Sequence, residues 1–173
     1  MTQASPENQE TITEIFKEIF GHHPAGVAII TADSDQGPVG LTASSVSSIS
    51  ADPAILGFSL AARRGSAAYI ADAKTFLVHL LDAENVELAK VFATHGAPRF
   101  GDAMNWKTLP TGEPLLTDVS RVLRCQTLTQ AQAGPALVFT AEVLEASRNE
   151  DPGTPLVYHR RAFHSLGDHS YMI

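Results

Sequence analysis

Apolar positions recur at two periods along the chain. From Ile12 to Phe20 they fall at helical spacing, with Ile12, Ile15, Phe16, Ile19 and Phe20 on one stripe. Ser5 is placed to cap this helix, Pro6 suits its first turn and Glu7 complements its dipole. Gly21, His22, His23 and Pro24 end it. The stripe predicts a helical arm, residues 1–22, packed on the main body or on a partner subunit.

From residue 26 the pattern becomes that of strands. Residues 26–32 are β-branched and apolar on both faces, and 33–38 carry turn chemistry. Residues 39–50 continue extended, 54–61 form a strand after Asp52 and Pro53, and 75–81 form a strand buried on both sides. In 120–133 the residues alternate. Leu123, Cys125, Thr127 and Thr129 point one way, and Arg124, Gln126, Gln130 and Gln132 the other. Gly134 and Pro135 make a tight turn, and 136–146 return with Leu137, Phe139, Ala141 and Val143 on one face. Residues 155–159 and 162–166 are short final strands, followed by a tail from 167 to 173. Two helices interrupt the strands. One spans 65–72 and begins at Ser66; the other spans 82–94, with Asp82 as cap and Leu88, Val91 and Phe92 as its buried face. Residues 95–114 read as a long surface excursion. Six or more closely spaced strands with few helices predict an all-β-dominated single domain, a closed or nearly closed antiparallel barrel.

The bulk properties narrow the function. The chain has 173 residues, 44% apolar and 18% charged, the composition of an ordinary globular domain. Its net charge of −7 argues against an extended nucleic-acid partner. No apolar run approaches the ~18 residues of a membrane span, and the polar N-terminus does not read as a signal peptide. With Cys125 as the single cysteine there is no intrachain disulfide, and a cytoplasmic setting is expected. The histidines at 22, 23, 159, 164 and 169 lack metal-ligand spacing. Dinucleotide and phosphate-loop fingerprints, nucleophile elbows and zinc-protease motifs are missing from the sequence.

Three segments carry candidate chemistry. Thr42, Ala43, Ser44 and Ser45 open a run of small, hydroxyl-rich residues that lets a flat ligand approach the backbone closely. The same run also suits a tight barrel interior. Arg63 and Arg64 precede Gly65 and Ser66 at a helix start, where a guanidinium, a hydroxyl and N–H groups make an anion site; solvated arginines at an exposed turn are the alternative. Arg99 and Phe100 supply a cation and an apolar lid, or else a surface arginine and a loop anchor. Elsewhere the cations are scattered, apart from Arg160 and Arg161.

The order of these segments resembles the flavin reductase-like family, the FMN-binding split barrel proteins. The likeness runs from about His23 to Phe163. It includes GPVGLTASS from Gly37, the Asp52–Pro53 strand start, the ARRGS turn, the paired Arg99 and Phe100, GEPLL from Gly112 and PLVYHRRAFH from Pro155. The resemblance implies a six-stranded antiparallel Greek-key split barrel, working as a homodimer with flavin near the subunit interface. It implies that Thr42, Ala43, Ser44 and Ser45 hold the ring and ribityl chain, and that Ser59, Leu60 and Ala61 run beside the ring. It places the phosphate on Ser66 with Arg63 or Arg64, and it makes Arg99 and Phe100 close the site. The implied cofactor is FMN, with FAD as the alternative, and NAD(P)H is the co-substrate. The implied function is reduction of flavin for a partner monooxygenase. No side chain is implied in acid–base work, because the flavin carries the chemistry.

Two positions depart from the family pattern. Many of these reductases carry Gly-Asp-His at the hairpin after the long strand, with the histidine facing the nicotinamide. Here that hairpin reads Ala133, Gly134, Pro135, Ala136. The triplet at Gly167, Asp168 and His169 lies beyond the last strand and does not match by position. Phe163 stands where an aromatic hydroxyl is usual. These changes leave open a flavin-binding carrier, sensor or degenerate relative without reductase turnover. A barrel for another cofactor, a deazaflavin or haem, is a third expectation.

Overall fold

A computed structural model describes residues 10–151 and 153–172. The expected cap at Ser5, with Pro6 and Glu7, lies outside the described residues. Helix α1 (Ile12–Gly21) is capped by Thr11. Its hydroxyl accepts from the Glu14 N–H, and the Glu14 carboxylate accepts from the Thr11 N–H at 2.7 Å, a capping box. None of its residues is buried, with Phe16 58% and Ile19 62% exposed. Packing of the apolar stripe on the chain's own body is therefore overturned. The helix meets that body through its C-terminal end, where the Arg160 N–H donates to the Gly21 carbonyl at 2.9 Å.

The strands run as β1 (Ala25–Gly26), β2 (Ala28–Ser34), β3 (Gly37–Ala43), β4 (Ser47–Ala51), β5 (Ala54–Leu60), β6 (Thr75–Leu80), β7 (Trp106–Thr108), β8 (Pro114–Leu116), β9 (Arg121–Ala133), β10 (Ala136–Ser147), β11 (Leu156–His159) and β12 (Ala162–Ser165). Helix α2 (Ser66–Asp72) follows β5, and α3 (Val86–Ala93) follows β6 after a single 3-10 turn. The main sheet is antiparallel in the order β3-β2-β6-β9-β10-β5-β4, and strands far apart in sequence become neighbours, as in a Greek key. β3 and β4 lie at opposite edges of this sheet, yet only residues 44–46 separate them. The extended stretch expected over 39–50 is thus broken, and it crosses from one edge to the other. Counted as one ribbon, β3 and β4 reduce the seven hydrogen-bonded strands to the six of a split barrel. Ser45 holds the crossing in place: its hydroxyl donates to the Ser59 carbonyl at 3.0 Å and accepts from the Ser59 N–H at 2.9 Å.

β9 and β10 keep the expected turn, with Gly134 at φ +58. The register shifts between Thr140 and Ala141, leaving Leu128 as an extra residue in β9. One inserted residue exchanges the faces beyond it. Thr129 is therefore not on the Cys125 side, as the alternation predicts. It faces outward, where its hydroxyl meets that of Thr140 at 2.7 Å. Gln130 turns inward, and its amide donates to the Ala71 carbonyl of α2 at 2.6 Å.

β2 is apolar on both faces because a cluster lies on each. Ala28, Ile30 and Ala32 point into the barrel with Phe58, Phe76, Val78, Cys125 and Phe139. The Phe58 and Phe139 rings stack 4.7 Å apart, and Phe76 meets Phe58 edge-on at 5.4 Å. Val27 and Ile29 point outward against Ala89, Phe92, Leu116 and Leu156. Each fully buried isoleucine or phenylalanine here contributes roughly 1.5–3 kcal/mol by burial.

The excursion over 95–114 is less superficial than its composition suggests. Phe100 packs edge-on against Phe92 at 5.4 Å and Trp106 at 5.2 Å, and β7 and β8 form a hairpin over the outer cluster. Polar side chains fasten this hairpin to the barrel. The Thr31 hydroxyl donates to the Pro114 carbonyl at 2.6 Å. His79, fully buried, lies 3.2 Å by Nδ1 from the Ile29 carbonyl, and its Nε2 accepts from the Leu116 N–H at 3.1 Å. Burial pushes its pKa down to about 4, so the ring is neutral, with its proton on Nδ1. Glu113, 2% exposed, accepts from Arg124 Nε at 2.8 Å. Burial raises its pKa, but hydrogen bonds from Thr111, Thr75 and Arg124 outweigh that and hold the carboxyl below its ordinary value.

Candidate functional site

One cleft of about 670 Å³ opens where the β3 end, the crossing at 44–45, the β5 end, the turn before α2 and the α3 end converge. That volume lies within the ~300–1,000 Å³ of small-molecule sites. Thr42, Ala43, Ser44, Ser45, Ser59, Leu60, Ala61, Arg64, Ser66 and Arg99 all line it. Ten of the twelve residues singled out in the sequence are thus brought together. The other two are not. Arg63 turns away to pair with Asp72 at the end of α2. Phe100 takes a left-handed backbone at φ 58 and packs under the excursion between Phe92 and Trp106, and it does not line the cleft.

The small side chains on one wall expose backbone. The Thr42 hydroxyl does not face a ligand as a free donor, since it donates to the Ala89 carbonyl of α3 at 2.7 Å. Ser45 is engaged with Ser59 as described above. This wall therefore offers main chain and methyl-sized surface, the requirement for close approach of a flat ring. Gly40 sets the neighbouring packing. A Cβ there would lie 2.6 Å from Phe92 Cε1, so glycine lets α3 press against β3 and brings Phe92 to the cleft wall.

The opposite end is cationic. Arg99 Nη1 donates to the Gly40 carbonyl at 2.7 Å and to Ser66 Oγ at 3.1 Å, and its Nη2 donates to the Thr94 carbonyl at 2.8 Å. Its guanidinium lies 5.5 Å from the Phe92 ring centroid. Burial lowers its pKa from the ordinary arginine value, and the group remains charged. Its Nε is buried without a partner among the described residues. Gly65, at φ +54, provides the turn that aims Ser66 and Arg64 at the same place. Helix α2 contributes less than its sequence suggests. The Ala67 and Ala68 N–H groups already donate to the Arg64 and Gly65 carbonyls. The polar side chains presented at this end are Arg64, Arg99 and the Ser66 hydroxyl.

Phe92, Ala93 and His95 also line the cleft and were missed as site residues. Phe92 is legible only as a core residue of an amphipathic helix, and nothing local distinguishes its cleft-facing edge. His95 follows that helix directly, and a histidine just past a helix end near Arg99 is the signal that could have found it. Cys125, fully buried with its thiol pushed up to about 12, plays no part.

The chain is similar to several known proteins over most of its length. The chain is 32% identical over 152 residues to the NADH:FMN oxidoreductase of Rhodococcus qingshengii, covering 86% of this chain and 79% of that one. It is 34% identical over 149 residues to the reductase component of a 4-nitrophenol 4-monooxygenase/4-nitrocatechol 2-monooxygenase from Rhodococcus opacus, covering 86% and 78%. The crystal structure of a flavin reductase domain protein from Arthrobacter sp. FB24 superposes with a TM-score of 0.84 at 37% identity, covering 94% of this chain and all of that one. Residues 20–167 match the flavin reductase like domain, and the chain belongs to that family.

Proposed function

We propose that this chain is an NAD(P)H-dependent flavin reductase that binds FMN in the 670 Å³ cleft and supplies reduced flavin to a partner monooxygenase. The observation that carries this reading is the pairing of a small-residue wall with a cationic end inside one cleft. FMN has the same two parts, a flat ring and a terminal phosphate. Arg64, Arg99 and Ser66 Oγ receive the phosphate, and the main chain at 42–45 and 59–61 borders the ring. Bound flavin supplies the hydride acceptor. The protein orients it, offers main-chain groups to its polar edge, and holds Arg99 charged and fixed beforehand through the Gly40 and Thr94 carbonyls. FAD is the alternative ligand of the same cleft.

The relatives named as NADH:FMN oxidoreductase and monooxygenase reductase component support both the activity and the kind of partner. A homodimer completes the reading: the exposed stripe of α1, with Ile12, Phe16, Ile19 and Phe20, suits a second copy of this chain. No helix among the described residues is long and apolar enough to cross a membrane, and the cytoplasm is the proposed location. Sedimentation at micromolar concentration tests the dimer, and a monomer mass contradicts it.

One observation favours a second reading. The turn between β9 and β10 is Gly134–Pro135, without a histidine to face a nicotinamide. A flavin-binding protein lacking turnover would carry such a turn. NADH oxidation with added FMN separates the two readings. Turnover well above the free-flavin background is expected; background turnover with FMN still bound would leave only the binding role.

A further inference from the structure

His95 lines the 670 Å³ cleft together with Arg64 and Arg99, and the function proposed above gives it no role. Backbone sets its position. Residues 94–97 form a tight turn in which the Ala97 N–H donates to the Thr94 carbonyl at 3.4 Å, and Gly96 supplies the left-handed step at φ +73. The same Thr94 carbonyl accepts from Arg99 Nη2 at 2.8 Å. One carbonyl therefore holds both the turn that carries His95 and the guanidinium beside it. Among the described residues the histidine rings that make hydrogen bonds are those of His22, His79 and His164, so the exposed His95 imidazole is free to meet a ligand.

No acidic side chain lines this cleft, although the chain as a whole carries a net charge of −7. On the elements that meet at its cationic end, Lys90 and Glu87 of α3 pair with each other at 2.6 Å, and Arg63 pairs with Asp72 of α2. Asp102 of the excursion does not line the cleft. That leaves Arg64, Arg99 and His95 to face an anion. A phosphate monoester arrives there with about −1.5 to −2 charge near neutral pH. The two arginines stay charged across the physiological range, so their attraction does not change with pH. Histidine is the side chain whose charge changes between about pH 5 and 8, and an anion beside an imidazole favours its protonated form.

We propose that His95 is a proton-dependent third contact to the flavin phosphate, adding an imidazolium to Arg64 and Arg99 in mild acid and no charge in mild alkali. The assignment rests on FMN as the ligand of this cleft. Binding FMN then draws a proton from solvent onto the His95 ring, and releasing FMN returns it. FMN affinity falls as pH rises through the histidine range, while riboflavin, without the phosphate, is held alike throughout. The cleft thereby grips or releases its flavin according to pH, with no change in the groups that border the ring.

The test titrates FMN and riboflavin by flavin fluorescence against the full chain and its His95→Gln and His95→Arg variants, at about pH 6 and about pH 8.5, on either side of the histidine range. Comparing proteins at one pH cancels the phosphate's own ionisation near pH 6. At the lower pH His95→Gln is expected to bind FMN about five- to tenfold more weakly than wild type, as for a charge-assisted contact near solvent, with the loss shrinking at high salt. At the higher pH the two are expected to agree within about twofold. His95→Arg, charged at both, is expected to bind FMN at the higher pH at least about fivefold more tightly than wild type. Riboflavin is expected to bind all three proteins alike. An equal loss for His95→Gln at both pH values overturns the proposal, as does an equal loss for riboflavin. His95→Gln matching wild type at the lower pH, while Arg64→Ala still loses FMN, overturns the role of His95 and leaves the FMN reading standing. A wild type that binds FMN no more tightly than riboflavin at either pH overturns both.

Discussion

The two faces of β2 hold their neighbours by different physics. Inside the barrel the contacts are apolar, and the stacked Phe58 and Phe139 rings with edge-on Phe76 fix the curvature by shape. Outside, the β7–β8 hairpin is held by buried polar groups, Thr31, His79 and Glu113, each with a partner. An apolar interior loses stability in proportion to the volume removed. A buried polar contact loses it when a partner goes or a proton arrives. The cleft lies where the two regimes meet, with Leu60 belonging to the interior and Phe92 to the outer layer.

Removing volume from the interior is expected to have the largest effect. Phe139→Ala leaves a cavity beside Phe58 and should cost about 3–5 kcal/mol in urea unfolding. A loss under about 1 kcal/mol would mean that the barrel interior is not close-packed.

Acid should act on the outer layer. His79 has a folded-state pKa of about 4 against an ordinary value of 6.5. Between those pH values the unfolded chain binds the extra proton and the folded chain does not, so stability rises with pH. The contribution is fully present above about pH 6.5 and is lost as pH falls toward 4, for a total of about 3 kcal/mol. His79→Leu is less stable at neutral pH, because the Leu116 N–H and the Ile29 carbonyl lose their partner, but it should lack this slope. Denaturation series at several pH values for both proteins check it, and an unchanged slope would assign the acid sensitivity to other groups.

Gly40→Ala tests the seam itself. Its methyl would collide with the buried Phe92 ring at 2.6 Å. The expected loss is about 1–3 kcal/mol by overpacking, with weaker FMN binding because Phe92 and the Arg99-bound carbonyl shift together. Normal stability and normal affinity would show that α3 yields freely.

The smallest expected effect is at Ser66. Ser66→Ala should weaken FMN by about 1 kcal/mol, roughly fivefold, and leave riboflavin binding unchanged.

How legible these features are in the sequence follows the same division. Strands such as β5 and β6 show in their alternation or apolar runs, and α3 shows in its periodic Leu88, Val91 and Phe92. The crossing at 44–46 does not, because the residues stay extended in character and only long-range pairing breaks them. The bulge at Leu128 leaves no local mark either, and it reversed the expected face of Thr129. His79 reads as one polar residue in an apolar strand. Its partners lie 37 and 50 residues away in sequence. In the cleft, small residues and arginines are visible as types, but which of Arg63 and Arg64 faces inward was decided by Asp72, nine residues on from Arg63.

That last choice gives the most direct test of the site. FMN and riboflavin are titrated by flavin fluorescence against wild type, Arg64→Ala and Arg63→Ala. The expected result is a loss of about tenfold in FMN affinity for Arg64→Ala, shrinking with added salt, and a change under about twofold for Arg63→Ala. Riboflavin, lacking the phosphate, should bind all three proteins alike. Equal losses for the two arginines, or a riboflavin loss as large as that of FMN, would contradict the placement of the phosphate at Arg64, Ser66 and Arg99.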